Sequence, residues 1–131
     1  MQNDYPFRPV SFTQVTIDDA FWQPRLETNR TVTLPFAFRK SEETGRIANF
    51  ARAGGLEPGP HQGRRYNDSD VFKVLEGAAY TLHLQPDPGL ETYLDGLVAR
   101  ITAAQEDDGY LYTARTIDPG HPPELAGRTR W

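Results

Sequence analysis

The sequence predicts a mainly α protein that opens with one short β-strand. Three observations carry that expectation. Two consecutive segments, "NDSDVFKVLEGAAYTLHLQ" and "PDPGLETYLDGLVARITAA", repeat apolar residues at the 3.6-residue period. A Pro-containing turn of the αα-hairpin type joins them. Only residues 10 to 17, "VSFTQVTI", alternate apolar and polar side chains with β-branched residues in the manner of a strand.

The elements follow in order. After the expected strand, Asp18 or Asp19 is placed to cap a helix, and Pro24 suits its first turn. That helix is expected to run to about Thr44, bent or broken at Pro35 and stopped by Gly45, with Phe36 and Phe38 in the core. "AGGLEPGPHQGRR", residues 53 to 65, has the Gly/Pro density of a long surface loop. Neither flank of this loop is expected to fold alone, so it divides the chain without bounding a domain. In the next helix Val71, Val74, Leu75, Ala78 and Leu82 share one face, and Asn67 or Asp68 is its expected N-cap. In its partner Leu90, Tyr93, Leu94, Leu97, Val98, Ile101 and Ala104 repeat the pattern, with Asp87 as cap and Pro88 at the first helical position.

The second helix of the pair runs into "AAQEDDGYLYTAR". Glu106, Asp107 and Asp108 crowd a helix C-terminus, where the dipole disfavours negative charge by about a few tenths of a kcal/mol each. Gly109 is the natural left-handed residue to end it. Charge misplaced in this way marks either a functional site or a solvated turn. The remaining segment, "TIDPGHPPELAGRTRW", reads as a loop that stops on an aromatic residue, as if the chain were interrupted.

Composition narrows the function classes. The chain has 131 residues, enough for one domain with a core, and its 37% hydrophobic and 24% charged content is that of an ordinary globular protein. Net charge is −4 and the 14 basic residues are scattered, with no basic stripe for nucleic acid. There is no cysteine, so disulfides and thiol chemistry within these residues are excluded. No apolar run approaches the ~20 residues that span a bilayer. "MQNDYPFRPV" lacks the basic and apolar regions of a signal peptide, and a cytoplasmic protein is expected. The sequons at Asn29 and Asn67 are accordingly chance matches.

Among chemical constellations, Asp68 and Asp70 begin a helix, and Asp107 and Asp108 end one. Their spacing alone shows no glycosidase pair, which needs two carboxyls about 5 to 9 Å apart across a sugar bond. "NDSD" lacks the glycine and the distal glutamate of a calcium-binding loop. His61, His83 and His121 do not cluster as metal ligands. Tyr110, Tyr112 and Trp22 are open to two readings, as platforms for sugar rings or as packing anchors.

Four stretches in register carry a resemblance: "VTIDDAFWQPRLETNR", "FRKSEETGRIANFARAGG", "YNDSDVFKVLEGAAYTLHLQPDPGLETYLD" and "AAQEDDGYLYT". Over residues 10 to 131 the chain closely resembles the N-terminal part of the β-L-arabinofuranosidase family of glycoside hydrolases. The resemblance implies an incomplete (α/α)6 barrel formed by its first αα-hairpins, with the N-terminal strand pairing into a sheet supplied by later sequence. It implies a small carbohydrate as substrate of the full-length enzyme. The family's chemistry implies a zinc-bound cysteine nucleophile and a glutamate acid/base, all beyond position 131, so no catalytic or metal-binding residue is assigned in this chain. Asp68, Asp70, Asp108 and Tyr110 are the residues expected to hydrogen-bond or position sugar. A fragment of such a barrel is expected to be inactive alone and to self-associate through exposed helix faces. Two competing expectations are a non-catalytic helical module that binds carbohydrate or protein, and a free-standing hydrolase using Asp68, Asp70 or Asp108.

Overall fold

The computed structural model describes residues 6–120, and among them the fold is entirely helical. Helix α1 spans Gln23–Thr28, α2 Leu34–Glu43, α3 Arg46–Ala53, α4 Asp68–Leu84, α5 Pro88–Ala104 and α6 Thr113–Ile117. His121 and the expected end of the loop at Trp131 lie outside the described residues.

The expected strand at residues 10 to 17 is not formed. This segment carries only a single 3-10 turn, Phe12–Gln14, whose preceding Ser11 hydroxyl accepts from the Thr13 N–H. Alternation suits a strand only when a neighbour pairs its N–H and C=O groups, and no strand is present among the described residues. The segment instead lies exposed, with Phe12 edge-on to Tyr80 and His83 of α4 at centroid distances of 5.0 and 5.3 Å.

Neither Asp18 nor Asp19 caps α1, whose N-cap position is Trp22 without a side-chain capping bond; the Asp19 carboxylate instead closes the turn just before the helix, accepting from the Phe21 and Trp22 N–H groups at 2.8 and 2.6 Å. Pro24 lies in the first turn of α1, and Pro35 in the first turn of α2. Between them Asn29–Thr33 winds as a wider π-helical stretch, and the Leu34 N–H reaches back five residues to the Asn29 carbonyl. Pro35 therefore neither breaks nor ends the helical run. The chain absorbs the missing proline N–H in a π-type turn just before it.

Gly45 stops α2 at φ 74°, a left-handed conformation that opens directly into α3. A side chain here would also collide with Gln62, whose Oε1 is 1.8 Å from the place a Cβ would take. The eight-residue α3 is an element beyond the sequence reading. It buries Ile47 and Phe50 completely, at an i, i+3 spacing that a longer window dilutes. At its end Gly54 lies against Ala103 of α5 so closely that a Cβ would come within 2.8 Å of both the Ala103 backbone carbon and its Cβ.

One core joins four helices: Leu34 and Phe38 from α2, Ile47 and Phe50 from α3, Val71 and Ala78 from α4, and Leu94, Leu97 and Ala104 from α5. Val74, Leu75 and Leu82 pack against it, as do Leu90, Tyr93 and Ile101, so both expected helix faces are the buried ones. Phe36 is a correction: it is 49% exposed, because only Phe38 falls on the inner face of α2. Val98, placed on the α5 face by spacing, is likewise exposed. The α4–α5 pair is joined through residues 85–87, and Asp87 caps α5 by accepting from the Gly89 and Leu90 N–H groups. Yet α5 packs chiefly on α3, and α4 chiefly on α2.

Candidate functional site

The start of α4 is where the structure concentrates buried polar groups. Asn67 occupies the N-cap position but has helical dihedrals and makes no capping bond, contrary to the expected cap. Asp68, only 7% exposed, does not cap its own helix either. Its two oxygens accept from the Thr113 N–H at 2.9 Å and from the Thr113 Oγ1 at 2.7 Å. Thr113 is fully buried and is the first residue of α6, so the carboxylate caps α6 across the fold. Two turns of chain far apart in sequence are fastened at this one point.

Asp70, on the next exposed side of α4, bridges to Arg46 Nε of α3 at 3.1 Å and lies 3.8 Å from Lys73 Nζ. At this partly exposed position the pairing contributes about 1 kcal/mol or less.

The loop between α5 and α6 is a closed turn. Helix α5 ends at Ala104, with Gln105 extended at φ −74° and ψ 129°. Gly109, at φ 86°, is thus not the residue that ends the helix. It sits in the following turn and donates its N–H to the Glu106 carbonyl at 2.8 Å. The Glu106 N–H donates to the Tyr110 carbonyl at 2.8 Å, and Asp108 Oδ1 accepts from the Tyr110 N–H at 3.0 Å. The Arg115 guanidinium stacks over the Tyr110 ring at 4.8 Å and lies 3.6 Å from Glu106. Of the carboxylates that look misplaced on the helix dipole, that of Asp108 is engaged in the turn itself and that of Glu106 reaches across to Thr116 and Arg115 of α6.

The four expected sugar-contacting residues thus form two groups. Asp68 and Asp70 begin α4, while Asp108 and Tyr110 belong to the turn before α6; the Asp68–Thr113 contact ties the two regions together. None of the four lines the cavity of about 700 Å³ beside this junction, and Asp108 opens instead onto a separate depression with Glu106 and Asp107.

That larger cavity is walled by His61, Arg64, Arg65, Tyr66, Ile117 and Asp118, together with glycines and Pro60 of the 53–65 loop. The sequence marked this segment only as a surface loop. Its available signal was the Arg-Arg-Tyr run placed between a Gly/Pro loop and a helix start. The loop is held from behind: fully buried Asn49 donates to the Gln62 carbonyl and accepts from its N–H, both at 2.9 Å. Arg52 donates to the Pro60 carbonyl at 3.1 Å. Burial holds the His61 pKa below the usual histidine value, against the opposing charge of Asp68 and with the help of Arg65 and Arg52.

Among the described residues no three His, Cys, Asp or Glu side chains are grouped to hold a metal ion. With no cysteine in the chain, the donors present do not fit a thiolate zinc centre. No helix among the described residues is long and apolar enough to cross a membrane.

Residues 14–131 match the family model described as "Beta-L-arabinofuranosidase, GH127 catalytic domain". A non-reducing end β-L-arabinofuranosidase of Bifidobacterium longum subsp. longum is 43% identical over 74 residues, which are 56% of this chain and 11% of that protein. A solved GH127 β-arabinofuranosidase superposes with a TM-score of 0.85 and 47% identity, covering 97% of this chain and 20% of its own. The GH127 β-L-arabinofuranosidase from Geobacillus stearothermophilus T6 gives a TM-score of 0.77 and 32% identity, covering 80% of this chain and 18% of its own. The chain therefore spans about a fifth or less of the length of these relatives.

Proposed function

The chain belongs to the GH127 β-L-arabinofuranosidase catalytic-domain family, and from that premise we propose that it is the N-terminal part of a glycoside hydrolase acting on β-L-arabinofuranosides or related plant-glycan sugars. The observation that carries this reading is the agreement, at 47% identity, of 97% of this chain with 20% of a solved β-arabinofuranosidase. Helices α2 to α5 are then the first helical pairs of an (α/α)6 barrel. Their exposed flanks are the faces that later hairpins of the barrel cover.

In this reading the chain supplies scaffold and sugar-positioning groups, and is inactive by itself. Asp70, Asp108 and Tyr110 orient sugar hydroxyls, and Asp68 does so while fixing the turn that carries Tyr110. The nucleophile, the acid/base glutamate and the zinc ligands implied by the family come from outside these residues. The composition supports that division, since the chain has no cysteine to serve as nucleophile.

The isolated chain, assayed on 4-nitrophenyl β-L-arabinofuranoside, is expected to show no turnover above buffer. Turnover that disappears in Asp68→Asn, Asp70→Asn or Asp108→Asn variants would overturn the proposal in favour of a free-standing hydrolase.

A further inference from the structure

We propose that the 55–64 segment is an acid-sensitive latch: the neutral imidazole of His61 seats it against α3, and protonation of that imidazole releases it. The inference is independent of the glycosidase reading. From Gly55 to Arg64 every residue is exposed except His61, so one side chain turns inward from the whole segment. No residue from 54 to 66 belongs to the hydrophobic core, and the segment can therefore leave without unpacking α2 to α5.

The closed position is pinned on either side of His61. The Pro60 carbonyl accepts from Arg52 at 3.1 Å, and Gln62 exchanges two hydrogen bonds of 2.9 Å with the buried Asn49. Arg52 holds the segment a second time, through Glu57 at 3.2 Å. Clamped in this way, His61 keeps its Nε2 buried without a hydrogen-bond partner among the described residues. In the neutral ring one nitrogen bears no proton, and Nε2 can be that one. In the protonated ring both nitrogens are donors, which leaves a cationic N–H buried without an acceptor.

The surrounding charges do not relieve this. Arg52 of α3 and Arg65 beyond the segment repel a proton on His61, while Asp68 of α4 attracts it. Both Asp68 oxygens already accept from Thr113, so turning one toward His61 would strand a buried donor of α6. Glu57 is paired with Arg52, and Arg64 and Asp118 line the cavity that His61 also lines. The protonated ring is relieved by moving into water. That motion draws on three hydrogen bonds and one ion pair of an exposed segment, and it removes a wall of the cavity of about 700 Å³.

The test is amide hydrogen exchange of the ¹⁵N-labelled 131-residue chain, followed by NMR at about pH 7.5 and about pH 5 in low concentrations of urea. The Gln62 N–H, which donates to Asn49 Oδ1, reports the latch, and the buried Leu97 of α5 reports global unfolding. Gln62 should be less protected than Leu97, and its exchange should not respond to urea. Its protection factor should fall by about fivefold or more at the lower pH. His61→Gln, neutral at both pH values, should show no such fall, whatever its absolute protection. The imidazole carbon shifts of the unsubstituted chain should titrate below 6.5. Gln62 protection that does not change with pH, an equal fall in His61→Gln, an imidazole titrating at 6.5 or above, or Gln62 exchange matching that of Leu97 in level and urea response would each overturn the latch.

Discussion

The Asp68 carboxylate accepts two hydrogen bonds from Thr113, one from the N–H and one from the hydroxyl, and both residues are buried. The contact spans 45 positions of sequence and joins the first turn of α4 to the first turn of α6. It explains how the Tyr110 turn, which leads into α6, is held against the rest of the fold. Removing the carboxylate strands two buried donors, so Asp68→Ala should destabilise the chain by roughly 3 kcal/mol in urea unfolding. Thr113→Val, which keeps the N–H bond, should cost about 1 to 2 kcal/mol. The double variant should show a coupling energy of at least about 1 kcal/mol. Additive losses would mean that the pair does not act as a clamp.

The environment of His61 predicts how stability depends on pH. Burial lowers its pKa in the folded chain below the ordinary histidine value of 6.5, so in that region the unfolded chain binds more protons than the folded one. Stability is therefore fully present above pH 6.5 and declines as pH falls below it. Unfolding midpoints measured between pH 7.5 and 5 (both at about 0.1 M salt) should fall toward acid. His61→Gln should flatten that part of the profile, and an equal slope in the variant would assign the decline to other groups.

Exposed apolar side chains on the early helices predict self-association. Phe21 and Trp22 are 56% and 55% exposed, and Leu84 is 50% exposed beside a cavity of about 660 Å³ that residues Phe12, Val15, Ile17 and Leu26 also line. Each 100 Å² of such surface left in water forgoes about 2.5 kcal/mol. Sedimentation equilibrium should give a mass that rises with concentration above 14.8 kDa. Trp22→Ser combined with Leu84→Ser should shift the distribution toward monomer. A wild-type chain that stays monomeric at high concentration would contradict this.

The helices that are legible in the sequence are those whose signals are local and repeated. The α4 face from Val71 to Leu82 and the Asp87–Pro88 start of α5 are read from spacing and capping chemistry alone, and the structure places them as expected. Helix α3 escapes such a reading because it is short and bounded by Gly45 and Gly54, which look like loop punctuation. The segment at residues 10 to 17 has the alternation of a strand, but alternation specifies a face, not a partner to pair with. At the site, the carboxylates were conspicuous and their partners were not. Nothing local in "LYTAR" announces that Thr113 receives Asp68, and nothing in "PGPHQGRR" announces that Asn49 holds Gln62. Contacts across long sequence separations decide which polar residues are already engaged and which still face a cavity.

The central claim, that this chain is a working piece of a β-L-arabinofuranosidase-type enzyme, is tested most directly by exchange. Residues 14–131 replace the matching segment of the solved GH127 β-arabinofuranosidase, to which the chain is 47% identical, and kcat/KM is measured on 4-nitrophenyl β-L-arabinofuranoside. The account predicts a folded hybrid that retains activity within about tenfold of the parent, a loss of no more than ~1.4 kcal/mol in transition-state stabilisation. A hybrid that melts cooperatively and binds zinc as the parent does, yet has no measurable turnover, would contradict it.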